Sequence, residues 1–332
     1  MRVLFAGSPD IAVPSLMAVS EMELGGKGIV LAGILTNPDS RRGRHGVEEP
    51  TDVSAAAAAL DIIRGKSGLP PIVQLKPEKL DERAREETAA LSPDLLVSFA
   101  CCRFFGPRFL ALFPCGGINI HPSLLPKCRG ASPIPAVILA GEEETGICIQ
   151  RLAPQMDSGD ILMADVFKLS GRETTLSLGV TVGRRAALLL VELLTDFTAR
   201  AEAAMPQQGE ASYCREIKKD AGLLDWEKSA EQLDAQIRAF TPWPLSFTRF
   251  GKDLLFILEA QPLPSGGMPD GAQRAAPGTV LGTDDNFGIM IQTGNGILAI
   301  SRLQMQAKKA MNWKAFCNGC RDFIGRKLGG GQ

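Results

Sequence analysis

Through the first half of the chain, short apolar runs alternate with amphipathic or alanine-rich stretches, and this alternation limits the fold more than any other feature. The runs are VLFAG (3–7), IVLAGILT (29–36), PIVQL (71–75), DLLVSFA (94–100), GINIH (117–121) and GICIQRL (146–152). Between them lie segments such as SAAAAALDII and PEKLDERAREETAAL. Runs that are apolar at successive positions need burial on both faces, and helices between them supply that cover to a mostly parallel sheet. The alternating run DILMADVFKL (160–169) suits an edge strand or hairpin partner, and a long helix is predicted over roughly 174–204.

After this the texture changes. MPQQGEAS (205–212) is polar, with Pro and Gly, and reads as a linker. Beyond it, LSFTRF, LLFILEA, GTVLG, FGIMIQT and ILAISRLQMQ are short runs separated by Gly, Pro and Asp. QTGNGIL carries a hairpin signal with Asn-Gly at its centre. A chain of 332 residues is long for one core. The expected organisation is an α/β domain over 1–204, a linker over 205–212 and a mostly β domain over 213–328, a small barrel or sandwich.

Charge and cysteine usage narrow the function classes. The net charge is −1 and the pI about 6.2, whereas a strongly basic nucleic-acid binder usually has a pI above about 9. Bulk composition therefore gives no support for DNA or RNA binding, although a local basic patch remains open. The eight cysteines are scattered, and a chain of this size does not need a disulfide framework. MRVLFAGSPD is too short in apolar residues for a signal segment, and no run of about 18 apolar residues marks a membrane span. These features point to a protein of the reducing cytoplasm.

Three local patterns read as structural. In GSPD (7–10), Ser8 or Asp10 is expected to cap the helix that follows, since the G-x-G-x-x-G fingerprint is missing. Cys317 and Cys320 form a lone C-x-x-C pair with no further ligands nearby, so two packed thiols are expected and no metal. His45 sits in the Gly-Arg loop RRGRHG, where Arg41, Arg42 and Arg44 form a solvated basic loop or an anion contact. His121 is different. It is one of only two histidines and ends an apolar run, just before the Pro-broken loop PSLLP. Asn119, two residues earlier on a predicted strand, shares its face. Asp157, in APQMDSGDIL, lies in a Gly-bounded turn between two strands. An amide, an imidazole and a carboxylate suit acyl transfer, which builds negative charge on a carbonyl oxygen. A satisfied core histidine is the competing reading of His121.

NIHPSLLPKCRGASPI, followed by MDSGDIL, resembles the signature of formyltransferases that use 10-formyltetrahydrofolate. FAGSPDIAVPSL, SYCREIKKDAGLLDW, AQIRAFTPWPLSF, APGTVL and TGNGILAISRLQ resemble blocks of the methionyl-tRNA formyltransferase branch, so the likeness runs from about residue 1 to 320. The resemblance implies a Rossmann-like domain followed by an OB-like barrel. It implies a catalytic trio of Asn119, His121 and Asp157, with Ser123, Leu124, Leu125 and Pro126 lining a folate pocket. Arg42 and Arg44 would meet the acceptor end of initiator methionyl-tRNA. The formyl donor would be 10-formyltetrahydrofolate, with no metal, no DNA and no membrane, and the protein would act as a monomer. In this scheme Asp157 raises the pKa of His121, which acts as an imidazolium.

The chain departs from the family pattern at Cys101, Cys102, Pro122 and Cys128 around the pocket. It also departs at Glu48, Glu49, Ser54 and Glu216, where relatives are more basic. Two other readings keep the trio: formyl transfer to a small amine such as glycinamide ribonucleotide, and hydrolysis of formyl-folate. A non-catalytic folate- or RNA-binding module would instead predict that one of the trio is lost, and none is.

Overall fold

The computed structural model describes residues 1–42, 46–263 and 275–329. The chain divides into two units. The first comprises Met1–Pro133, Glu144–Lys168 and Gly179–Arg215, and the second Ile134–Glu143, Leu169–Leu178 and Glu216–Gln332.

The strands of the first unit are β1 (Arg2–Ala6), β2 (Val30–Leu35), β3 (Ser40–Arg42), β4 (Val47–Glu49), β5 (Gln74–Leu75), β6 (Leu95–Phe99), β7 (Gly117–His121), β8 (Arg129–Gly130), β9 (Glu144–Arg151), β10 (Ile161–Lys168) and β11 (Tyr213–Cys214). Seven of them form one sheet in the order β10-β9-β7-β6-β1-β2-β5. Pairing is parallel from β5 through β7, and antiparallel at β7–β9 and β9–β10. All six apolar runs lie on strands of this sheet, and 160–169 is its edge strand. Val3, Leu4, Phe5 and Ala6 are fully buried, as a strand covered on both faces requires. Helices α1 (Val13–Leu24), α2 (Asp52–Lys66), α3 (Glu82–Ala90) and α4 (Pro107–Leu110) intervene between the parallel strands. On one side, Leu4, Ala6, Leu35 and Leu96 pack with Phe105, Phe109 and Phe113. The sheet is Rossmann-like, with its strand order turning at β1; because β1, β6 and β7 run parallel, their carboxyl ends share one edge.

Two local expectations need correction. Helix α5 (Pro133–Ala140) is followed by α6 (Thr175–Thr195) and a separate α7 (Phe197–Glu202), in place of one helix over 174–204. Asp196 adopts φ −136, ψ 47, outside the helical region, and breaks the run. Neither Ser8 nor Asp10 caps α1 with its side chain. Ser8 is buried, and its hydroxyl meets Thr36 Oγ1 at 3.2 Å and accepts from the Asn37 N–H at 3.1 Å. It therefore ties the end of β1 to the end of β2. The 205–212 segment is held along the first unit: Met205 exchanges two backbone hydrogen bonds with Ile161, and β11 then pairs in parallel with β8.

The second unit contains α8 (Ala230–Ala239), β12 (Ser246–Phe250), β13 (Asp253–Pro262), β14 (Val280–Asp284), β15 (Gly288–Gln292), β16 (Ile297–Met305), β17 (Met311–Asn312) and α9 (Trp313–Gly319). Its sheet is antiparallel, in the order β12-β13-β16-β15-β14, with β17 on β16. The five predicted short runs are the five main strands, in keeping with an OB-like second domain. Helix α8 starts with a capping box between Ser229 and Gln232 and buries Leu233 and Ile237 with Leu255, Ile257, Ile289, Leu298 and Ile300. Cys317 and Cys320 pack at the rim of this core. Among the described residues, no helix is long and apolar enough to cross a membrane.

Ile120 is 1 % exposed and lies between the two polar residues of β7 on the opposite face. Ile120→Ala should destabilise the protein by about 2–5 kcal/mol, read as a lower urea midpoint with unchanged far-ultraviolet dichroism of the folded state.

Candidate active site

Strand β7 alternates Ile118 and Ile120 on one face with Asn119 and His121 on the other, because successive side chains of a strand point oppositely. Its antiparallel neighbour β9 sets Gln150 opposite Asn119 and Cys148 opposite His121. Residues paired in this way share a face. The turn joining β9 to β10 brings Asp157 back over that face. Asp157 adopts φ +51, a conformation uncommon for a residue with a Cβ. Two residues on, a Cβ at Gly159 would lie 1.9 Å from the Arg151 carbonyl oxygen, so only glycine lets the turn sit this close to β9.

The structure brings Asn119, His121 and Asp157 together. Asp157 Oδ2 accepts the Gly130 N–H at 2.9 Å and lies 3.6 Å from His121 Nδ1. Its Oδ1 accepts from Gln150 Nε2 at 3.0 Å and, at the long limit of 3.5 Å, from Asn119 Nδ2. His121 Nε2 stands 2.9 Å from the Cys128 carbonyl oxygen. A carbonyl only accepts, so Nε2 carries the proton and Nδ1, facing Asp157, is the position that titrates.

His121 is 4 % exposed. Burial lowers its pKa from the ordinary value of 6.5, opposed by the Asp157 charge and by the Cys128 carbonyl. Burial prevails, so the net shift is downward and the ring rests neutral, although Asp157 raises the pKa as expected. Three cysteines around the site, Cys101, Cys148 and Cys214, are not primed as nucleophiles. Burial pushes Cys101 up to about 12 and also raises Cys148 and Cys214. Among the described residues, no group of three or more His, Cys, Asp or Glu is arranged to hold a metal.

The loop after β7 turns Ser123 inward. Its side chain is buried and donates to the Lys127 carbonyl at 2.6 Å, so the hydroxyl holds the loop's shape. Pro126 is buried, while Leu124 and Leu125 stay partly exposed. Arg42 ends β3, but its side chain, and all of Arg44 and His45, lie outside the described residues. Their neighbour Arg41 pairs across the β3–β4 hairpin with Glu48.

Sequence reasoning missed Gln150, the Gly130 N–H and the Cys128 carbonyl. For Gln150 a signal was present: it is a polar residue directly after the apolar stretch GICI on a predicted strand, and the structure buries it to 1 % exposure. The backbone groups left none, because any residue type carries them.

A mostly parallel sheet with an amide, an imidazole and a carboxylate at the carboxyl end of β7, followed by an antiparallel β unit, is an arrangement suited to acyl-group transfer. The chain belongs to the formyl transferase family, and within it to the methionyl-tRNA formyltransferases. Residues 1–194 match the formyl transferase family and 216–321 match the formyl transferase C-terminal domain. A methionyl-tRNA formyltransferase of Treponema denticola is 46% identical over 327 residues, covering 98% of both chains. In fold, the chain resembles the methionyl-tRNA formyltransferase of Clostridium thermocellum, with a TM-score of 0.52 at 15% identity over 82% of this chain and 95% of that one. It also resembles HypX of Aquifex aeolicus, solved with tetrahydrofolic acid, with a TM-score of 0.61 at 16% identity. That likeness covers 98% of this chain but spans only 48% of HypX.

With two histidines in the chain, proton NMR can follow His121 directly, once His45→Gln assigns the other signal. Its midpoint should fall below 6.5, and Asp157→Asn should lower it further by removing the charge that opposes burial. Because the folded pKa is depressed, the neutral ring's contribution to stability is complete above the ordinary value and is lost as pH falls through the folded one. A midpoint at or above 6.5 would show that the carboxylate, and not burial, governs the ring.

Proposed function

We propose that this chain transfers the formyl group of 10-formyltetrahydrofolate to the α-amino group of methionyl initiator tRNA, with Asn119, His121 and Asp157 as its catalytic residues. The observation that carries the proposal is the convergence of those three side chains on one face of the sheet, in a chain 46% identical to a methionyl-tRNA formyltransferase. The fold shared with HypX, solved with tetrahydrofolic acid, supports a folate as the formyl carrier.

The nucleophile belongs to the substrate. An α-amine has a pKa of about 8, so a useful fraction is neutral near pH 7. Its lone pair attacks the formyl carbon, and the carbonyl π pair moves onto oxygen. Asn119 directs one amide N–H weakly toward Asp157 and keeps the other for that oxygen. The new C–N bond leaves a cationic nitrogen that must lose a proton. Nδ1 of the neutral His121 takes it, and the imidazolium is held by Asp157, whose own oxygens are occupied by N–H donors. When the C=O bond re-forms, the bond to N10 breaks, and N10 recovers the proton from His121. Atoms and charge balance without a covalent enzyme intermediate.

For the folate, Leu124 and Leu125 are the partly exposed apolar residues of the loop beside His121, and Ser123 and Pro126 fix its course. For the tRNA, Arg42 and Arg44 are the proposed phosphate contacts. With Glu48 facing Arg41 across the hairpin, the local positive potential is reduced. Formylation should accordingly tolerate added salt better than that of a relative with an all-basic loop, read as a shallower slope of log(kcat/KM) against log salt.

Transfer of labelled formyl to charged initiator tRNA, with glycinamide ribonucleotide and water as competing acceptors, tests the whole reading. Wild-type protein should label the tRNA. Asn119→Ala and His121→Ala should each lower kcat by about 10²- to 10³-fold while leaving folate binding intact. Labelling of the small amine alone, or release of formate alone, would overturn the assignment of tRNA as acceptor.

A further inference from the structure

Asp157 holds its place with help from a segment that reads as a mere connector. From 205 to 210, every residue is exposed except Gln207. Its side chain turns inward and meets three parts of the site at once. The two hydrogens of Gln207 Nε2 are shared among three acceptors: the Asp157 carbonyl at 2.9 Å, the Gly159 carbonyl at 2.8 Å and Gln150 Oε1 at 3.1 Å. On its other side, Gln207 Oε1 accepts from Arg129 Nε at 3.1 Å and Nη2 at 2.6 Å. A guanidinium only donates, so the atom facing it must be the amide oxygen, and the amide cannot flip.

These bonds run in one direction. Arg129 donates to Gln207, Gln207 donates to Gln150, and Gln150 donates to Asp157 Oδ1. Each link polarises the next, and the series ends on the carboxylate that faces His121. The same Gln207 amide grips the turn on both sides of Ser158, at the carbonyls of Asp157 and Gly159. A residue with a Cβ at φ +51 persists only where its surroundings over-determine it.

We propose that Gln207 is a positioning residue: it fixes the Asp157 turn and, through Gln150, aims the carboxylate at His121 without touching the reacting atoms. The proposal rests on the formyl-transfer reading for its kinetic consequence, but not for its structural one. It assigns a part in the site to a residue outside the sheet and outside the motif that carries the trio.

The test uses the full-length protein and Gln207→Met, which keeps the length and adds no charge, with Gln207→Ala as a second variant. In both, kcat for formyl transfer should fall by about 10- to 100-fold, with KM for the formyl donor within about twofold, since the interaction acts on the site's geometry and not on donor binding. The NMR midpoint of His121 should also move down, as the carboxylate that opposes burial drifts away. Added to Asp157→Asn, Gln207→Met should produce no further movement. A wild-type midpoint in Gln207→Met would overturn the proposal, as would equal displacements with and without Asp157→Asn. If wild-type protein transfers no formyl to methionyl-tRNA while Gln207→Met still moves the midpoint, the positioning role stands and the assigned reaction fails. Loss of folding confined to Gln207→Ala leaves the decision to the methionine variant.

Discussion

The site depends on holding one carboxylate correctly placed in a largely buried position. Asp157 achieves this by accepting N–H groups from three separate stretches of chain: the Gly130 backbone, Gln150 on β9 and, weakly, Asn119 on β7. A carboxylate removed from water is costly unless its lone pairs are met. Here each oxygen has a close donor, and the donors come from elements with different roles in the fold. Misplacing β9, the β8 loop or the Asp157 turn would therefore strip the charge of a partner. The left-handed backbone at Asp157 adds a cost that only the packed surroundings offset.

The protonation state of His121 follows from that arrangement. Proximity of a carboxylate alone would predict an imidazolium at rest, yet the ring is nearly closed to solvent and its Nδ1 stands 3.6 Å from Asp157, too far for a strong hydrogen bond. Desolvation then outweighs attraction, and the ring rests neutral with its proton on Nε2. That state suits an amine nucleophile, because the base is free before attack and Asp157 favours the cation once it forms. A ring already protonated would have no site for the proton that the new C–N bond releases.

Much of the fold was legible in the sequence because it rests on periodicity. Runs buried on both faces became the sheet, the alternating run became its edge, and TGNG became the turn between β15 and β16. Asn119 and His121 could be placed on one face by counting residues. What escaped has a physical reason in each case. Ser8 has the composition of a helix cap, but a buried partner, Thr36, competes for its hydroxyl. The predicted long helix is broken at Asp196 by a backbone conformation that hydrophobic spacing does not register. Gln207 looked like part of a polar connector, since its partners lie 48 to 78 positions away. Contacts between side chain and distant backbone leave no periodic trace.

Two of the departures from the family pattern, Cys102 and Cys128, stand where the backbone shapes the site. At Cys128 the structure uses the main-chain carbonyl, not the side chain, to hold His121 Nε2. A main-chain acceptor survives any substitution that keeps the backbone path, here φ +55, and that path is stabilised by the Cys128 N–H donating to Ser212 Oγ. Cys102, at φ +55, keeps the backbone after β6 at the modest strain a non-glycine residue carries there. Gly130 cannot change so freely, because a Cβ would lie 2.2 Å from the Cys214 carbonyl oxygen and its N–H would be drawn away from Asp157. The limits on variation lie in the backbone contacts that surround the trio as much as in the three residues themselves.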